Sequence, residues 1–138
     1  MGAFYTCCKI ENHVDRDKGV RIAKALVDTG SEHTWIPGVK LEKIGVKREK
    51  KDLRFVMANG NVVTRSTGFA IIRVRKEFTI DEVVFAEPVD MILLGARSLE
   101  GLNLTVASAR KKLVAAGPFP AAGRKTNEQY ADCGLLWA

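Results

Sequence analysis

The chain has 138 residues, 46% of them hydrophobic, and a formal net charge of +6, the size of one domain with enough apolar material for a core. No run approaches the roughly 18 apolar residues of a membrane span, and the first residues lack the basic segment followed by an apolar one that marks a secretory signal, so a soluble, cytoplasmic protein with no membrane partner is expected. The cysteines Cys7, Cys8 and Cys133 make no disulfide framework, and His13 and His33 lack metal-ligand spacing and read as exposed or loop residues, so neither a metal nor another cofactor is expected.

In chain order, residues 3–10 are rich in strand formers and give way to a polar turn region over 11–19. Residues 20–27 form the next predicted strand, with Arg21 and Lys24 in its exposed stretch and the apolar run Ala25-Leu26-Val27 at its end. Asp28-Thr29-Gly30-Ser31 is turn chemistry, because Gly supplies backbone freedom and small hydroxyls bond to nearby main chain. Asp28 thus stands where a buried strand meets a turn, and a second apolar stretch with Trp35 and Pro37 leaves it. Val39, Leu41, Ile44 and Val46, with Lys and Glu between them, fit one or two helical turns stopping near Gly45, or equally an irregular segment.

Residues 55–64 read as a hairpin with Asn59-Gly60 at its tip, its arms at 53–56 and 61–65. Residues 68–75 are apolar on both faces, through Phe69 and Ile71 on one and Ala70, Ile72 and Val74 on the other, as in a fully buried strand. A charged turn leads to a strand over 78–85 that Pro88 closes off, and residues 91–94 make another short buried strand ending at Gly95. Leu99 and Leu102 are spaced for a short helix over 96–102, and Leu104 and Val106 pair with Leu113 and Val114 around a basic turn. Residues 118–138 are linker-like and read as a loosely structured tail, with Leu135, Leu136 and Trp137 as its possible docking residues. This pattern indicates an all-β domain over 1–117, with barrel closure as the natural way to hide strand edges.

The basic runs at 47–51 and 110–112 contain no aromatics that could stack on bases, so they read as solvated loops and no nucleic-acid partner is expected.

Asp-Thr-Gly alone is an ordinary turn. Followed by Ser31, Trp35 and Pro37, and combined with Ile92-Leu93-Leu94-Gly95 ahead of a helix and a hairpin between the two, it resembles the aspartic proteases, the superfamily of pepsin and the retropepsins. The resemblance spans residues 20–106. It implies a closed β-barrel of the acid-protease type, with one short helix after the Leu-Leu-Gly strand and a flap hairpin over the active site. Because Asp-Thr-Gly occurs once, it further implies a homodimer of the retropepsin kind that hydrolyses peptide or protein substrates with one Asp28 from each chain. Carried over residue by residue, Asp28 is the catalytic carboxylate, Thr29 locks the two turns together, Gly30 contacts the substrate main chain, and Ser31 can donate a hydrogen bond towards the carboxylate. Met57, Ala58, Asn59, Gly60 and Asn61 would form the flap and bind substrate, while Glu32, Trp35, Leu94, Gly95 and Arg97 would support the site. Glu32 stands where retropepsins usually have Asp, and Ala96 where they often have the pairing Arg, with Arg97 one place later. These departures leave room for an alternative, a catalytically inactive protein of the same fold that holds peptides or serves as a scaffold.

Overall fold

The computed structural model describes residues 4–123. Nine strands occur among them: β1 (Tyr5–Glu11), β2 (Gly19–Val27), β3 (Thr34–Pro37), β4 (Lys50–Val56), β5 (Val62–Val74), β6 (Glu77–Ala86), β7 (Leu93–Leu94), β8 (Leu104–Ala107) and β9 (Lys112–Ala115). Two short helices, α1 (Gly38–Lys43) and α2 (Ala96–Gly101), accompany them. The fold is therefore mostly β, as the sequence indicates.

Seven strands form one sheet in the order β1-β2-β7-β3-β6-β5-β4, and β1 pairs in addition with β5. Most neighbours are antiparallel, but β2 runs parallel to β7 and β3 parallel to β6. Strands β8 and β9 form a separate pair whose Leu104 and Leu113 reach the main core. Alternation in β1 sends Cys8 and Ile10 inward while Cys7 and Lys9 face solvent, the period of a half-buried strand. Ile10, Ile36, Leu41, Ile72, Val83 and Leu94 are all 0% exposed at the centre of the core.

The segment after Pro37 is resolved in favour of a helix, which buries Leu41 and ends before Gly45 at φ +79. Three expectations are corrected. The second arm of the hairpin and the buried strand after it are one continuous strand, β5, since no turn interrupts its pairing first with β4 and then with β6. Its residues are not uniformly buried: Ala70, Ile71 and Ile72 are, whereas Phe69 is 36% exposed with its ring 5.9 Å below Lys50 Nζ. Likewise only Leu93 and Leu94 of the expected strand over 91–94 pair, and Met91 is exposed.

Asn103 fastens the end of β9, its carbonyl accepting from Ala116 N–H at 2.9 Å and its side-chain amide donating to the Gly117 carbonyl at 2.7 Å. Residues 118–123 are exposed and without regular structure. Leu135, Leu136 and Trp137, and with them most of the expected tail, lie outside the described residues, as does Cys133. Among the described residues no helix is long and apolar enough to cross a membrane.

Candidate active site

Parallel pairing of β2 with β7 sets Leu26 beside Leu93 and Val27 beside Leu94, which carries Asp28 out of the sheet next to the end of β7. Its N–H donates to the Leu94 carbonyl at 3.0 Å, and its Oδ1 accepts from Gly30 N–H at 2.9 Å. Such a bond orients the carboxylate and leaves its second oxygen for other work. The rest of the turn is fastened to the start of α2: Ala96 N–H donates to the Ser31 carbonyl at 2.7 Å and Arg97 N–H to the Glu32 carbonyl at 3.1 Å. Gly95 permits this close approach, since a Cβ there would overlap the His33 carbonyl.

The Ser31 hydroxyl does not meet the expectation placed on it. It donates to the His33 carbonyl at 2.9 Å, two residues along the same turn, and the hydrogen bond to the Asp28 carboxylate comes from Gly30 instead. Thr29 is exposed, and its hydroxyl has no hydrogen-bond partner among the described residues. Glu32 and Arg97 do approach one another, Arg97 Nη2 lying 3.5 Å from Glu32 Oε2 and Nη1 lying 3.8 Å from Glu82 Oε1.

A cleft of about 300 Å³ opens beside Asp28. Gly30 and Ser31 of the turn line it together with Trp35 and Leu93, while Val56, Met57 and Ala58 enter from the hairpin and Met91 from the segment before β7. Asn59, Gly60 and Asn61 do not line it; they form the exposed end of the hairpin. The turn there centres on Ala58-Asn59, with Gly60 N–H donating to the Met57 carbonyl at 2.9 Å and Met57 N–H to the Asn61 carbonyl at 2.7 Å. Only Gly60 takes a positive φ, +87. The hairpin is thus closed by a three-residue loop with Gly in the left-handed position, and the Asn-Gly pair is not the two-residue centre of the turn.

Behind the turn lies a hydrogen-bond chain that the sequence does not announce. Gly95 N–H donates to Thr34 Oγ1 at 2.9 Å, the Thr34 and Ser98 hydroxyls bond to each other, and Ser98 donates to Asp81 Oδ2 at 2.8 Å. Thr34 and Ser98 are both 0% exposed. The donors run in one direction, so each hydroxyl both gives and receives and no buried polar atom is orphaned.

Glu82 forms a second, charged cluster on β6. Thr67 Oγ1 donates to it at 2.7 Å and Lys50 Nζ at 3.3 Å, with His33 Nε2 at 3.8 Å. Burial opposes ionisation of Glu82, but the Thr67 and Lys50 hydrogen bonds outweigh it and hold the carboxyl below its ordinary range. His33 sits in a loop, yet its side chain is only 17% exposed, edge-on to Phe55 with ring centroids 5.4 Å apart. Phe55 in turn packs edge-on against Trp35 at 5.2 Å. Among the described residues no three His, Cys, Asp or Glu side chains come together to hold a metal ion.

A family model described as gag-polyprotein putative aspartyl protease matches residues 18–101. Comparison with curated proteins finds no match. Among solved structures, the retroviral protease-like domain of Ddi1 from Leishmania major is similar with a TM-score of 0.52 and 16% sequence identity, over 83% of this chain and 89% of that one. At that identity the likeness concerns the fold, which is retropepsin-like.

Proposed function

This chain belongs to the gag-polyprotein aspartyl protease family, and from that membership we propose that it is an aspartic endopeptidase whose working form is a homodimer. The observation that carries the proposal is Asp28 itself: a carboxylate oriented by Gly30 N–H at 2.9 Å, on a turn fastened to β7 and α2, at the edge of a largely apolar cleft. We read the pairing of β1 with both β2 and β5 as closure of a retropepsin-type barrel that makes this platform rigid.

Peptide hydrolysis without a metal or a nucleophilic side chain needs one group to accept a proton from water and another to donate one to the carbonyl oxygen. Two aspartates sharing a single proton supply both, because like charges at close range do not both ionise. With one Asp28 per chain, the second carboxylate is the partner copy's. In the proposed reaction the ionised Asp28 takes a proton from water as the water oxygen bonds to the carbonyl carbon, and the protonated one gives its proton to the carbonyl oxygen. As this intermediate collapses, the carboxyl that took the water proton gives it to the amide nitrogen, the other carboxylate takes a hydroxyl proton back, and the C–N bond breaks to leave an acid and an amine. Trp35, Met57 and Leu93 suit apolar substrate side chains, and the hairpin is placed to cover an extended peptide.

A reducing compartment belongs to the same proposal, since the exposed Cys7 and the buried Cys8 form no disulfide among the described residues. The decisive measurement is cleavage of a peptide library between about pH 4 and pH 6, the acid range in which a shared proton is retained. Cleavage by the native chain with a bell-shaped pH profile, abolished in Asp28→Asn, is the expected result. A native protein that binds peptides at the cleft without cutting them would favour the inactive, peptide-holding alternative.

A further inference from the structure

Cations gather on this fold in a place that neither basic run of the sequence occupies. Strand register sets Lys9 of β1 opposite Arg21 of β2 on one side and opposite Arg73 of β5 on the other. Residues directly opposite on neighbouring strands project from the same face, about 5 Å apart at Cβ, so the three cations form a row across three strands. Arg75 joins them around a depression of about 380 Å³ that Cys7 and Cys8 complete. Like charges facing each other across a ladder repel, so the row does nothing for folding.

Little offsets that repulsion. Glu11, 5% exposed, lies 3.2 Å from Lys9 Nζ and 3.2 Å from Arg73 Nη2. Arg21 pairs with no carboxylate among the described residues, and Arg75 donates one N–H to the Leu113 carbonyl at 3.0 Å. One carboxylate thus pairs with two of the four cations, Lys9 and Arg73, and leaves the Arg21 and Arg75 guanidinium groups without an acidic partner among the described residues.

We propose that this face binds phosphate groups, presented by the backbone of a single-stranded nucleic acid and held without base recognition. The planar fork of Arg matches phosphate in a bidentate fashion, which the point charge of Lys does not. A row of cations suits a chain of anions. Base stacking is not part of the site, because the nearby exposed ring of Phe78 already lies beneath Arg73 at 4.9 Å and Arg16 at 5.5 Å. Arg21 stands about 20 Å along β2 from Val27 at the ordinary strand rise, far enough from Asp28 for the face and the cleft to be occupied independently.

The test is fluorescence anisotropy of a labelled single-stranded oligonucleotide titrated with the full chain at several salt concentrations. Affinity is expected to fall with salt, the double-logarithmic slope approaching about −2, since Glu11 leaves a net three positive charges to neutralise phosphates at roughly −0.7 each. Arg21→Gln removes an exposed residue without a charged partner, so its melting temperature should hold while the slope shrinks by about 0.7 and affinity drops several-fold at low salt. Lys51→Gln, which removes the same charge on β4, should leave the slope as it was. Equal losses in the two variants would reduce the effect to net charge and overturn the proposal. So would absence of binding, or displacement by polyglutamate as effective as by unlabelled oligonucleotide. Inorganic tripolyphosphate binding as tightly as the oligonucleotide would reassign the site to compact polyphosphates and overturn the backbone reading.

Discussion

Arg65 holds Asp90 in a two-pronged grip, Nε to Oδ2 at 2.7 Å and Nη2 to Oδ1 at 2.9 Å, with 9% and 4% of the two side chains exposed. Arg65 lies on β5 at the base of the hairpin, opposite Leu53, and Asp90 precedes Met91, which lines the cleft. The pair thereby ties the root of the hairpin to the opposite side of the proposed substrate site. Losing these charge-assisted bonds should cost about 2–3 kcal/mol.

Acid should expose the same pair. The hydrogen bond from Arg65 holds the Asp90 carboxyl below its usual range, so the group releases its proton more readily folded than unfolded. Its stabilisation is present above the unfolded value of about 4 and is lost as pH falls through the lower folded value. Melting temperature should therefore decline below about pH 4, and Asp90→Asn should start lower at neutral pH with a flatter acid decline. Parallel acid curves for the native chain and the variant would show that Asp90 is not a carrier of this dependence.

Ser98→Ala breaks the buried chain in its middle, stranding the Thr34 hydroxyl and an Asp81 oxygen. A loss of about 1–3 kcal/mol is expected, measurable by urea denaturation. Because Thr34 also accepts from Gly95 N–H beside the Asp28 turn, cleavage should fall further than the unfolded fraction explains. Turnover per folded molecule equal to that of the native chain would confine Ser98 to stability.

Thr29→Ala tests the dimer. The residue is exposed and contributes nothing to the core, so the isolated subunit should keep its stability while the proposed twofold contact weakens. Sedimentation should show a higher dissociation constant, and activity should fall more steeply than linearly on dilution. A chain that is monomeric and fully active at micromolar concentration would remove the shared Asp28 pair from consideration.

Gly60→Val acts on the hairpin end alone. Its φ of +87 is a conformation a β-branched residue resists, although a Cβ there meets no atom within 4 Å. A destabilisation of about 1–2 kcal/mol is expected from backbone strain. If the hairpin closes over substrate, kcat/KM should fall more than overall stability; unchanged kinetics would make it ordinary surface.

Local chemistry made much of this protein legible in its sequence. The strand ending at Asp28, the turn at Gly30, the hairpin before Val62 and the helix after Gly95 each rest on neighbours a few residues apart, where apolar period and turn residues act directly. Family membership was legible as well, since its marks are short strings in a set order. Partners chosen across the sheet were not. Thr34, Asp81 and Ser98 meet only because β3 pairs with β6 and α2 packs against both, and nothing in any one of those segments names the others. The same holds for Glu82 with Lys50 and Thr67, and for the cationic row, whose members come from three strands. The course of the Ser31 hydroxyl, the continuity of β5 and the exposure of Met91 were decided by the backbone path in three dimensions. Side-chain period specifies which face of an element is buried; which polar group it meets there is set by strand order and register, which only the folded chain has.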